Sequence, residues 1–309
     1  MKTFSDNVVV WANIPTQDQF DKFDGYQGKL SFDPERGGQL ELVFVNLSRE
    51  FAAKTDYLFA FGQKGKFYTL KGALCTKKNF GTQTGTNSTL CSHTFSIDFI
   101  YESSTVFLDN HFLVSTVKFE TDSGSGFLNR RSFMVDSSAQ GQSGVRLEPL
   151  GINSTISMYK GSNFEIKAIP LPKACPPTLG SVSDYTMEDR WVFQISYENP
   201  ANLDEADTDC FCFLLFMSLG LQHYVTLREL RYIDNAKRSY EFFSRSRHTK
   251  NSVLDAYSSI YRFDSFEDFQ SAYSKWIELF EKMPRLVETQ LDSIRIKRFD
   301  EYDFLRLTL

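Results

Sequence analysis

Histidine, cysteine and tryptophan are scarce in this chain of 309 residues, which holds four, five and three of them. Five cysteines cannot all pair. Cys75, Cys91, Cys175, Cys210 and Cys212 offer no second pair at metal-ligand spacing, so neither a disulfide framework nor a zinc ribbon organises the fold. The odd count suits a reducing compartment, where the sequons at Asn46, Asn87 and Asn153 are chance matches. No HExxH, GxSxG or Walker-type motif occurs, and no repeat at periods of roughly 20–50 residues. Long apolar runs are missing as well. The longest, residues 210–221, includes Ser218 and Gly220 and falls short of the roughly 20 residues of a membrane span. The run at residues 8–12 is too short for the core of a signal peptide. These absences predict a soluble, cytoplasmic protein without membrane attachment, metal or cofactor. Net charge is −5, which gives global electrostatics no pull toward nucleic acid.

Phenylalanine is what the chain has in excess: 30 residues, nearly one in ten. Aromatic enrichment favours sheets. Residues 28–32 and 39–45 alternate polar and apolar, with Leu40, Leu42 and Phe44 on one face. Between them Asp33, Pro34, Gly37 and Gly38 supply turn chemistry. Asp33 and Glu35 serve that turn and form no acid/base pair. Further strands are predicted at 57–61, 67–75, 94–101, 111–121, 131–135, 155–159, 164–169 and 190–197. Ser/Gly-rich residues 123–126 and 137–144 predict exposed loops. So many short strands suggest an antiparallel sandwich or a pair of curved sheets.

After Pro200 the texture changes. Asp204 and Glu205 suit a helix start, and residues 210–221 are apolar all round, which predicts a buried helix. Ser265 begins a second helix with a capping-box-like pattern, followed by an amphipathic stripe of Phe266, Phe269, Tyr273, Trp276, Ile277 and Phe280. Pro284 breaks or kinks it, with 286–294 as a continuation. The fold class is therefore α+β: a β-rich region over 1–200, sandwich-like, then a helical part over 201–301. The last residues, 302–309, open a new apolar segment.

Candidate chemistry is thin. Cys210 and Cys212, two apart on a helix, face different ways and read as buried structural thiols. His111 falls in a turn, His223 at a helix end, and His93 carries no signal. The one charge bias is residues 228–250, where Arg228, Arg231, Lys237, Arg238, Arg245, Arg247 and Lys250 outnumber Glu229, Asp234 and Glu241. Tyr232, Tyr240, Phe242 and Phe243 interleave with them. Cations for phosphates and aromatics for stacking would make a nucleic-acid surface. A solvated face with its aromatics turned into the core is the alternative.

The collinear order of these pieces resembles the N-terminal region of ApeA-type bacterial antiphage defence proteins. The similarity runs from Tyr26-Gln27-Gly28-Lys29-Leu30-Ser31-Phe32 and Gly37-Gly38-Gln39-Leu40-Glu41-Leu42, through Phe61-Gly62 and Tyr68-Thr69-Leu70-Lys71-Gly72, to the strand at 190–197. It continues with the acidic start at Asp204-Glu205, the apolar helix, and Phe266-Glu267-Asp268-Phe269-Gln270 with Trp276. The resemblance implies a non-catalytic sensing or regulatory region joined in cis to a HEPN ribonuclease domain, with a phage protein, host protein or RNA as trigger. Such a nuclease carries an Arg followed by four to six residues and a His. No such pair occurs here, since nine residues separate Arg238 from His248, and Arg245 and Arg247 stand too close to it. No catalytic residue is carried over. Residues 302–309 resemble the opening of a HEPN helix, so this is either a piece of a longer chain or one that has lost its effector. Two other classes remain open: a stand-alone binding module for carbohydrate or protein, which needs exposed aromatics on one sheet, and a hydrolase, which needs His111 or His223 beside a carboxylate.

Overall fold

The computed structural model describes residues 2–45, 53–82, 89–108, 112–136, 146–175, 186–245, 265–283 and 285. Within them the strands are β1 (Phe4–Trp11), β2 (Tyr26–Asp33), β3 (Gly37–Val45), β4 (Lys54–Gly62), β5 (Phe67–Thr82), β6 (Thr89–Ser103), β7 (Leu113–Thr121), β8 (Phe133–Asp136), β9 (Arg146–Pro149), β10 (Ile156–Lys160), β11 (Phe164–Pro170), β12 (Lys173–Cys175), β13 (Thr186–Glu188), β14 (Trp191–Asn202), β15 (Leu227–Asp234) and β16 (Ser239–Ser244). The helices are α1 (Gln17–Asp21), α2 (Gly124–Leu128), α3 (Leu203–Leu221) and α4 (Phe266–Lys282). Two compact units divide the chain: residues 1–113 with 229–250, and 114–228 with 251–309.

In the first unit, antiparallel pairing runs β1–β2–β3–β6–β5–β4 and returns from β4 to β1. Six strands thus close into a barrel where a sandwich was expected. The cause is the length of β5 and β6, 16 and 15 residues. Such a hairpin closes a sheet when it bends, and it bends at irregularities. One is the register shift between Cys75 and Lys77. Another is Gly72, at φ +72°, where a Cβ would stand 2.4 Å from Asp98 Oδ2. Alternation then fills the barrel. Leu40, Leu42 and Phe44 are buried while Glu41 is exposed, as the sequence pattern predicts. Beyond position 97, β6 exchanges β3 for β16, which in turn pairs with β15. The predicted turn after β2 is an Asx turn: Asp33 Oδ1 accepts from the N–H groups of Glu35 and Arg36 at 2.9 and 3.0 Å.

In the second unit, β10, β11, β14 and β7 are neighbours in that order, and α3 and α4 supply the apolar cover. Asn202 and Glu205 cap α3 reciprocally, Glu205 N–H donating to Asn202 Oδ1 at 2.9 Å and Asn202 N–H to Glu205 Oε2 at 3.1 Å. The helix is buried on most sides, as its all-round apolarity predicts. Phe213 is its hub: its ring meets Phe119, Phe127, Phe193 and Tyr273 at centroid distances of 5.4–6.0 Å. Ser265 caps α4, whose Phe269, Tyr273 and Trp276 are buried while Ile277 and Phe280 are half-buried. Residues 123–126, expected as exposed loop, are instead the N-cap and first residues of α2. Gly124, Gly126 and Phe127 are buried there, with Trp191 3.2 Å from where a Gly124 Cβ would lie; the glycines admit close packing rather than mobility. The change of texture near Pro200 falls inside this second unit, and most of β15 and all of β16, later in the chain, belong to the first.

Candidate functional site

The basic stretch folds as the β15–β16 hairpin and its flanks. Its turn is held by Asp234, whose carboxylate accepts from Arg238 N–H at 2.8 Å and Arg238 Nε at 2.6 Å. Lys237 sits at φ +60°, the left-handed position that glycine ordinarily takes in such turns. Arg231 pairs with Glu229. Arg228, assigned to the second unit, reaches Glu188 at 2.6 Å and Glu120 at 3.6 Å. Arg245 Nε donates to the carbonyl of Glu35 at 2.9 Å. Arg247, Lys250, His111 and His248 lie outside the described residues, as do the sequons at 46 and 87 and the segments 286–294 and 302–309. The interleaved aromatics are core residues: Tyr232, Tyr240, Phe242 and Phe243 are all buried. Tyr232 packs on Tyr101, Tyr240 on Phe112, and Phe243 on Phe4 and Phe32. Among the described residues, then, Arg228, Arg231 and Arg238 pair with carboxylates and the rings turn inward.

Buried polar chemistry gathers elsewhere. Inside the barrel, Tyr68 Oη donates to Asp6 Oδ2 at 3.2 Å, and burial drives the tyrosine's pKa upward. Gly62 passes so close that a Cβ there would stand 2.1 Å from Asp6 Oδ2. His93 also faces the barrel core, 2% exposed, and neither ring nitrogen has a hydrogen-bond partner. Burial, reinforced by the charge of Lys78, lowers its pKa.

In the second unit, Tyr197 of β14 donates to Asp209 of α3 at 3.0 Å. Burial, with the charge of Glu205 adding to it and the Tyr197 bond opposing it, raises the Asp209 carboxyl to about 6. One turn on, burial pushes the Cys212 thiol up to about 12, although its hydrogen bond with Tyr273 lowers it. Cys210 and Tyr273 are raised by burial too. These thiols are held protonated at neutral pH, which fits structural roles and not nucleophilic ones. Asp209 alone in this group changes charge near neutrality, so it can switch the character of one hydrogen bond between β14 and α3. Nearby in the same unit, Glu120, almost fully buried, is gripped by Arg190 through Nε at 2.7 Å and through Nη2. His223 follows the end of α3, its N–H bonded to Ser218 O at 3.1 Å, as expected for a helix-end residue. Its Nε2 is buried without a hydrogen-bond partner.

One aromatic group lies on the barrel's outside. Phe20 of α1 packs on Phe61 and Phe67 at 4.9 and 5.7 Å, and Phe23, held at φ +50°, is 52% exposed. A bulky residue in the left-handed region is strained. Local pattern could not reveal this cluster, because its members come from three separate segments.

Among the described residues no group of three or more His, Cys, Asp or Glu could hold a metal ion, and no helix is long and apolar enough to cross a membrane. A family model described as ApeA N-terminal domain 1 matches residues 10–276, from within β1 into α4. No curated protein and no solved structure matches the chain.

Proposed function

The chain belongs to the ApeA N-terminal domain 1 family, and from that membership we propose that it is the sensing or regulatory region of an antiphage defence protein whose ribonuclease activity resides in a HEPN domain in cis. The match over residues 10–276 carries this reading. The chemistry of the described residues supports it. The thiols of α3 are held protonated by burial, and Arg228, Arg231 and Arg238 are engaged with carboxylates of the same chain. A region of this kind binds and reports; it does not turn over substrate. The trigger is a phage protein, a host protein or an RNA met in the cytoplasm.

The test compares two proteins. The purified chain leaves RNA intact with or without divalent metal, whereas the protein carrying both this region and a HEPN domain protects cells from phage and cleaves RNA on infection. Protection unchanged after deletion of residues 1–276 from that longer protein overturns the regulatory role, and RNA cleavage by the chain itself overturns the non-catalytic one.

The outer aromatic group favours a second reading, a binding module for protein or carbohydrate. Phe23→Ala, at the exposed ring, then weakens ligand capture without changing the unfolding midpoint by more than a degree or two.

A further inference from the structure

Two polar side chains project into the barrel core, and the barrel treats them differently. At the end where Phe4 pairs with Phe32, Asp6 is answered by Tyr68, and Phe4, Phe32 and Phe243 close over them. At the other end, where Val10 pairs with Tyr26 and Leu42 with His93, the imidazole has no answer. Its ring meets Phe44 edge-on at 4.9 Å and Phe95 at 6.2 Å, and Tyr26 packs on the far side of Phe44.

What faces His93 is apolar or cationic. From β3 come Leu42 and Phe44; Glu41, the carboxylate of that strand, pairs with Thr94 and is exposed. From β5 comes Lys78, directly across the ladder. From its own strand come Cys91 and Phe95, both buried. Tyr26 is the titratable group of β2 on this side. No carboxylate among the described residues is placed to hold an imidazolium there, and neither nitrogen is in contact with water.

We propose that His93 makes this end of the barrel an acid-triggered opening: the strands β3, β5 and β6 part there when the imidazole takes a proton. In the closed barrel the ring stays neutral, because a cation would be buried without a partner and opposite Lys78. Once the strands part, the ring is hydrated and titrates near its ordinary value of about 6.5. Protons are therefore bound more tightly by the open form. Opening is unaffected well above that value and increases as pH falls through it. The other end, with Asp6 and Tyr68 already paired, does not share the response. The device rests on barrel geometry alone and is independent of the defence reading.

Hydrogen exchange of backbone amides on the intact chain at pH 7.5 and 5.5, corrected for intrinsic exchange, tests it. Amides at 42–44 and 91–95 should open up to about tenfold more often at pH 5.5, the ratio set by an open-state imidazole titrating near 6.5, while those at 4–8 and 30–32 keep their rates. His93→Phe, which restores an all-aromatic wall, should remove the pH response and reduce opening at both pH values. His93→Gln, neutral but still polar, should remove the pH response without reducing opening. Equal corrected rates at the two pH values in the natural chain, or an unchanged pH response in either variant, overturns the proposal.

Discussion

The side-chain amide of Gln270 completes the backbone of Lys160 as a neighbouring strand would. Lys160 N–H donates to Gln270 Oε1 at 2.8 Å, and Gln270 Nε2 donates to Lys160 O at 2.9 Å. Lys160 ends β10, the outermost strand of its sheet, and an uncovered edge invites pairing with another chain. One carboxamide on α4 thus satisfies an edge and docks a helix. Gln270→Ala should lower stability by about 1–2 kcal/mol, the cost of two partly exposed bonds, read by urea unfolding. A loss within about 0.3 kcal/mol would mean that water replaces the amide at no cost.

Trp276 is 6% exposed, meets the Phe216 ring at a tilt with centroids 5.9 Å apart, and donates Nε1–H to the carbonyl of Cys212 at 3.0 Å. Trp276→Ala should cost about 3–5 kcal/mol, as a large-to-small core change does. Trp276→Phe keeps most of the packing and loses the donor, so its smaller cost separates the two contributions. A loss below about 1 kcal/mol for the alanine variant would show that α4 does not depend on this face.

Gly62 has no room for a methyl group, since Asp6 Oδ2 would lie 2.1 Å away and the Tyr68 ring 2.9 Å away. Gly62→Ala should break the Asp6–Tyr68 bond and destabilise the barrel by about 2–4 kcal/mol, by overpacking together with a buried polar group left unpaired. Asp6→Ala added to it should recover part of the loss, because it vacates the same space. Additive losses in the double variant would contradict that shared cause.

Asp209 supplies a pH dependence with a definite sign. Its carboxyl titrates at about 6 in the folded chain against about 3.9 when unfolded. The folded state therefore binds the proton more tightly. The associated stability is fully present below the unfolded value and is lost as pH rises through 6. Asp209→Asn should abolish that slope, so the difference in unfolding free energy between natural chain and variant should shift against the natural chain from pH 4.5 to pH 7.5. Parallel curves over that range would place Asp209 in a more aqueous setting.

Local alternation made much of this fold legible. Leu40, Leu42 and Phe44 advertise an inward face, Ser265 with Phe269, Tyr273 and Trp276 advertises a capped amphipathic helix, and the acidic start before Cys210 marks α3. Barrel closure was not legible, because it depends on β4 returning to β1 and on β6 serving both β3 and β5, pairings that no local pattern encodes. The β15–β16 hairpin was hidden by its charges: Arg231, Arg238 and Glu241 dominate the stretch, while Tyr232, Tyr240 and Phe242 alternate inward beneath them. Asp6 escaped notice for the opposite reason, since an acidic residue at an inward position argues against a strand until Tyr68 is known to meet it. Asp209 drew no attention among neighbouring acids, because its distinction is Tyr197, twelve positions earlier on another element.

The arrangement of the barrel along the chain has a consequence for its biogenesis. All six strands that close it lie between Phe4 and Ser103, so the cylinder can form while the second unit is still being translated. At roughly 5–20 residues per second, the β15–β16 hairpin is completed about 7–28 s after Ser103. During that interval Phe4 and Phe32 lack the ring of Phe243 that later covers them, and the C-terminal half of β6 lacks its β16 partner. A nascent chain paused before residue 239 thus holds a closed barrel with an exposed aromatic end, a substrate for chaperones that the finished molecule no longer presents.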